Sequence, residues 1–243
     1  MRAPLTVTAA QLTCIPGDIE KNVARHVSLL ADIAETGSRV VVFTELSLTG
    51  YELPLLAADL ANYAVLPDDP RLEPLRAACA AYSMFAVVGA VVAVPGGHAI
   101  ASLVFDDSGT PIAVYTKHHL HGVEAEMFVA GTEFTVVEVD GTRLGLAVCA
   151  DVNDPGHAAA TVAAGAQVYV ASALYLAGKE GRRDGHMVSR SVENGCWTVL
   201  SAYSTPVDGV PATGGSGVWR PDGSLVAQIG PESPGFVTAV LSV

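Results

Sequence analysis

The run Leu144-Gly145-Leu146-Ala147-Val148 is apolar throughout, too short for a helix, and closed abruptly. Cys149 ends it, and the turn-forming residues Asp151, Asn153, Asp154, Pro155 and Gly156 follow at once. A short apolar run bounded in this way reads as a strand buried on both faces. Such strands belong to α/β sheets covered by helices, and ligands bind at the ends where those strands stop. The pattern recurs. Val40-Val41-Val42-Phe43 is closed by Glu45, and Ile112-Ala113-Val114-Tyr115 by Lys117. Acidic and basic residues are rarely buried without a partner. Three chemically active residues at three strand ends therefore suggest one shared site.

The rest of the chain fits an α/β reading. Leu5–Leu12 is a strand, and Asp18 caps a helix running from Ile19 to about Glu35, with Val23, Val27, Leu30 and Ile33 on one face. Strand, helix and the second strand make a crossover unit. Pro70–Tyr82 is a second helix, and Leu53–Leu66 reads as loop with a short helix. Phe85–Val94 and Ala99–Phe105 flank a Pro-Gly-Gly turn, and Asp140-Gly141 is a hairpin signal between Phe134–Val139 and Arg143–Val148. Ala158–Ala166 and Lys179–Asn194 are helical, and Val168–Ala171, Cys196–Ala202, Gly217–Trp219, Leu225–Ile229 and Phe236–Leu241 are strands. Hairpins mixed with crossovers predict two packed sheets flanked by helices, in one domain over residues 1–243.

Composition excludes several functions. The 243 residues carry a net charge of −12, which disfavours a phosphate backbone as partner. No apolar run approaches a membrane span, and no signal peptide precedes the first strand. Four cysteines without paired spacing suit a reducing, cytoplasmic setting. His118, His119 and His121 lack the helical carboxylate–histidine spacing of a zinc site, so no metal or cofactor is expected.

Glutamate, lysine and cysteine together suffice for acyl transfer. A carboxylate can take the thiol proton, and an ammonium can stabilise both a thiolate and the oxyanion formed when sulfur attacks a carbonyl.

At this point the chain resembles the carbon–nitrogen hydrolases of the nitrilase superfamily, which use a Glu–Lys–Cys triad in that order. The resemblance rests on Phe43-Thr44-Glu45-Leu46 with Thr49-Gly50-Tyr51, on Tyr115-Thr116-Lys117-His118-His119-Leu120, on Phe128 and Gly131, and on Leu144-Gly145 through Cys149-x-Asp151 to Pro155. Arg190-Ser191-Val192-Glu193-Asn194 and Gly214-Gly215-Ser216 with Pro221-Asp222-Gly223 complete it. It implies a four-layer α-β-β-α sandwich that dimerises or assembles further. It implies Glu45 as general base, Lys117 as oxyanion holder, Cys149 as nucleophile and the Ala150 N–H as second oxyanion donor. Glu124, rather than Glu126, matches a second glutamate that positions the lysine. Tyr51 and Tyr175 are pocket candidates.

The chain also departs from the family pattern. Ala150 replaces an aromatic residue, Gly156 a glutamate, Tyr203 an asparagine and Tyr175 a tryptophan, and an arginine usual after the proline is missing. The implied activity is hydrolysis of a small amide, with a nitrile or N-carbamoyl compound as alternative substrates. A silent binding module on the same fold is the competing function.

Overall fold

The computed structural model describes residues 4–243. The first half of the chain builds one sheet from β1 (Leu5–Gln11), β2 (Val40–Val42), β3 (Ala64–Val65), β4 (Phe85–Val94), β5 (Gly97–Phe105) and β6 (Pro111–Thr116). The second half builds another from β7 (Val136–Val139), β8 (Thr142–Val148), β9 (Val168–Ala173), β10 (Trp197–Ala202), β11 (Gly217–Trp219) and β12 (Leu225–Gln228). The last strand, β13 (Gly235–Leu241), returns to the first sheet and pairs antiparallel with β1, Leu5 opposite Leu241. The strand orders are β13-β1-β2-β4-β5-β6, with β3 also on β4, and β12-β11-β10-β9-β8-β7. Both sheets are mixed. β1, β2 and β4, with the short β3 on β4, run parallel in one and β8, β9 and β10 in the other, and the remaining strands pair antiparallel.

Seven helices connect these strands: α1 (Ile19–Ala34), α2 (Leu53–Ala58), α3 (Leu60–Tyr63), α4 (Glu73–Tyr82), α5 (Glu124–Met127), α6 (Pro155–Ala163) and α7 (Glu180–Asn194). The period-two alternation of the strands sorts the core into three layers. Val40 and Val42 of β2 face Val168 and Val170 of β9 in the core between the sheets. Val41 points the other way, to Leu30 and Ile33 of α1 and Leu75 of α4. Tyr169 and Ala171 of β9 likewise turn outward to Ala158 of α6 and Met187 of α7. The result is the expected α-β-β-α sandwich.

The local signals were accurate at the caps. Asp18 accepts from the Lys21 N–H at the start of α1, and Asp140 and Gly141 both hold positive φ in the β7–β8 hairpin. Several element ends differ from expectation by one to three residues, and two segments differ for a clear local reason. Helix α6 begins at Pro155 rather than Ala158, because Asp154 caps it by accepting from the Gly156 N–H and proline suits a first helical turn. The Leu53–Leu66 segment forms two short helices and the two-residue strand β3.

Candidate active site

The residues that follow β2, β6 and β8 meet at one end of the sandwich. Glu45, Lys117 and Glu124 are each 0% exposed. Lys117 Nζ donates to Glu45 Oε1 at 2.7 Å and to Glu124 Oε1 at 2.8 Å. Glu124 Oε1 also accepts from Tyr51 Oη at 2.6 Å, and its Oε2 accepts from the His121 N–H at 2.7 Å. The other oxygen of Glu45, Oε2, is buried and takes no hydrogen bond from a described residue. Cys149 is half-buried, with its sulfur 3.8 Å from the Leu174 carbonyl at the end of β9.

Two turns hold these groups in unusual backbone. Cys149 and the residue after Glu45, Leu46, both have φ near +49°, a left-handed conformation that side chains disfavour. Such strain persists where surrounding structure over-determines it, and it concentrates at functional sites. The Glu45 turn is clamped onto β4 at Gly89. The Leu48 N–H donates to the Gly89 carbonyl at 3.0 Å, and the Gly89 N–H to Ser47 Oγ at 3.1 Å. A Cβ on Gly89 would overlap the Thr44 carbonyl and the Leu46 nitrogen. Ser47 is held in turn by the buried ring of His26, 2.9 Å from Nε2.

Asp151 clamps the other side. Its Oδ1 accepts from the backbone N–H groups of His118 at 3.1 Å and His119 at 2.8 Å, the two residues after Lys117. Its Oδ2 accepts from the Val148 N–H at 2.9 Å and from Tyr115 Oη at 2.6 Å. One buried carboxylate thus ties the lysine strand to the cysteine turn. The sequence showed Asp151 only as a motif letter. Its signal was an acid two residues after the cysteine, at the first turn of a helical segment. Gly89 also gave a signal, since an isolated glycine inside an apolar strand marks close backbone approach.

The ionisation of the group follows from burial and charge. Burial pushes the Glu45 carboxyl up, and Lys117 pulls it back while Glu124 adds to the rise; the balance stays above the usual glutamate value. Burial alone would lower Lys117, but Glu45, Cys149 and Glu124 together hold it above an ordinary lysine. Burial also pushes the Cys149 thiol up, Glu45 adds to this, and Lys117 offsets only part. A thiolate would place a negative charge beside Glu45 in a poorly hydrated place. Lys117 alone therefore does not bring the thiol down to an ordinary cysteine value.

The pocket candidates separate. Ala150 and Tyr175 line a cavity of about 190 Å³ with Cys149. Tyr51 lines a neighbouring apolar cavity with Leu53 and Met127, and reaches the cluster through Glu124. Tyr203, which departs from the family pattern, accepts from the Tyr51 N–H at 2.9 Å and so steadies that contact. Glu126 is exposed, while Glu124 is in the cluster. Among the described residues, no group of three histidine, cysteine or carboxylate side chains could hold a metal. No helix of the described residues is long and apolar enough to cross a membrane.

The carbon-nitrogen hydrolase family model matches residues 6–243. The chain belongs to the carbon-nitrogen hydrolase family. This hydrolase is 28% identical over 230 residues to "Hydrolase in pqqF 5'region" of Pseudomonas protegens, covering 93% of this chain and 79% of that protein. It is 26% identical over 234 residues to an (R)-stereoselective amidase from a Pseudomonas species, covering 93% and 81%. Among solved structures, it superposes on the nitrilase-superfamily amidase of Nesterenkonia AN1 with a TM-score of 0.88 and 27% identity, covering 98% of this chain and 92% of that one. The sandwich described above is therefore the fold of that amidase.

Proposed function

We propose that this hydrolase is a thiol amidase that releases ammonia or an amine from a small amide through a thioester on Cys149. The observation that carries the reading is the buried Glu45–Lys117–Glu124 cluster beside the Cys149 turn, with Oε2 of Glu45 taking no hydrogen bond from a nitrogen or oxygen donor of the described residues and the Cys149 thiol within its influence. Glu45 takes the thiol proton as Sγ attacks the amide carbonyl. A carboxyl raised by burial is a better base for this task than an exposed one, and the elevated thiol makes such a base necessary. Lys117 and the Ala150 N–H stabilise the oxyanion. The first N–H groups of a helical turn have no partner inside the turn, and Ala150 is second in the helical turn Cys149–Asn153. Collapse returns the proton from Glu45 to the departing nitrogen and leaves the thioester. Glu45 then activates water, whose attack releases the carboxylic acid and restores the thiol.

The Nesterenkonia amidase supports an amide substrate. It has been captured with butyramide, and its active-site cysteine carries the acetamide moiety of fluoroacetamide in another structure. Four free cysteines are in keeping with a reducing, cytoplasmic setting, and we extend the proposal to a homodimer or larger homo-oligomer.

The test is ammonia release from a panel of small amides, with intact-mass detection of an acyl group on Cys149. Parent enzyme should give both signals and Cys149→Ala neither. Parent enzyme that gives no ammonia and no adduct with any amide would refute the reading.

A further inference from the structure

The cavity over the sulfur has a charge character that the amidase reading does not use. Lys179 and Arg182 line it, together with His121, Cys149, Ala150 and Tyr175. Both cations are exposed, and neither side chain has an ion pair, a hydrogen bond or an aromatic contact with a described residue.

That is exceptional in this chain. Among the described residues, every other lysine and arginine side chain is engaged. Lys21, Arg39, Arg71, Arg76, Lys117, Arg183 and Arg190 pair with carboxylates. Arg25 and Arg143 donate to the carbonyls of Thr13 and Gly165, and Arg220 lies over the Trp197 ring. The acids beside them in sequence are occupied. Glu180 accepts from the Gly178 N–H, and Asp184 pairs with Arg183 and accepts from Gln228. A protein with a net charge of −12 repels anions in general, and two cations without a carboxylate partner at the mouth of its nucleophile pocket offset that repulsion locally.

The segment that carries them is fixed in place. The Ala177 N–H donates to the Pro211 carbonyl at 2.8 Å, Leu176 bridges to Ala212, and Tyr175 Oη lies 3.1 Å from His186 Nδ1. Lys179 ends this segment and Arg182 lies in the first turn of α7.

Resting on the amidase reading, we propose that the physiological substrate carries a carboxylate on its acyl chain, bound by Arg182 and Lys179 while Cys149 attacks the amide at the other end. A planar guanidinium matches a carboxylate with two parallel hydrogen bonds, and the lysine adds a point charge. A cavity of about 190 Å³ is smaller than the ~300–1,000 Å³ that encloses a drug-sized ligand, so only a short chain separates the two ends. The chemical class is the monoamide of a short dicarboxylic acid.

Three amides of matched length separate the possibilities: one ending in a carboxylate, one in a methyl group and one in an ammonium. Ammonia release from the full-length enzyme gives kcat/KM for each. The carboxylate amide should exceed the methyl one by at least about tenfold at low salt, with the margin shrinking as salt rises. Arg182→Gln and the double variant with Lys179→Gln should lower that ratio at least about tenfold, mainly through KM, and Arg182→Glu should favour the ammonium amide. Circular dichroism verifies that the variants are folded. A parent enzyme that turns over the methyl amide as well as the carboxylate one, or variants that leave the ratio intact, overturn the inference while the amidase reading stands. Absence of ammonia from all three overturns both.

Discussion

Glu124→Gln tests the cluster with almost no change of volume. The donors around Glu124 stay where they are: Lys117 Nζ at 2.8 Å and Tyr51 Oη at 2.6 Å on one oxygen, the His121 N–H at 2.7 Å on the other. An amide offers a single acceptor oxygen. Turned to Lys117 and Tyr51, it presents its NH2 group to the His121 N–H, donor against donor. Turned the other way, it strands the buried ammonium, which is worse. The first orientation sacrifices one contact, at a cost of about 1–3 kcal/mol for a buried donor without a partner. If that loss falls on the placement of Lys117 at the oxyanion, the rate drops roughly 5- to 150-fold.

Charge adds a second effect with a definite sign. Burial and Glu124 raise the Glu45 carboxyl, and Lys117 and the Cys149 thiol lower it. With Glu124 neutral, burial still raises Glu45, but one source of the rise is gone, so its pKa falls from the parent's. In the proposed mechanism Glu45 has to be ionised to take the thiol proton, so activity should decline as pH drops through that pKa. In the variant this decline moves to lower pH. The assay is kcat/KM for ammonia release between about pH 4.5 and 8.5, with thermal melts to confirm folding. A variant as fast as the parent, or one whose acidic limb moves to higher pH, would refute this account of Glu124.

Other substitutions probe the supports. Cys149→Gly and Cys149→Ala should both be inactive, but the glycine variant should be the more stable by about 1 kcal/mol, because only glycine relaxes at a φ near +49°; thermal melts showing alanine ahead would contradict the strain. Gly89→Ala should displace the Glu45 turn and cost about 3 kcal/mol or more, read as a lowered denaturation midpoint with a loss of turnover in whatever remains folded. Asp151→Asn should turn an amide donor towards backbone N–H groups and lower both stability, by about 1–3 kcal/mol, and kcat; unchanged turnover would remove Asp151 from the machinery. Burial of His26 drives its pKa down to about 4. The unfolded chain therefore binds this proton first. His26 contributes stability that is complete above about pH 6.5 and lost as pH falls to about 4, on the order of 3 kcal/mol. Denaturant titrations at both ends of that window measure it, and a stability that rises on acidification would show the sign to be wrong.

The sequence by itself determined where strands stop and which side chains stand at their ends. Apolar runs closed by polar residues are local signals, and they put Glu45, Lys117 and Cys149 at three strand exits before any pairing was known. The motif around Phe128 singled out Glu124 over Glu126. Caps such as Asp18 and the Asp140-Gly141 turn were legible for the same local reason. What the tertiary structure decided depends on groups distant in the chain. Only the packing of two sheets brings Lys117 against both carboxylates, and only that burial raises the Cys149 thiol. Asp151 reads as a turn acid in sequence; its role as a clamp exists only because the N–H groups after Lys117 arrive beside it. Lys179 and Arg182 look like ordinary helix-surface cations until the fold shows which cavity they line and that no acid neutralises them. Hydrogen bonding and desolvation act through space, so residue identity sets what each group can do, while its neighbours set what it does.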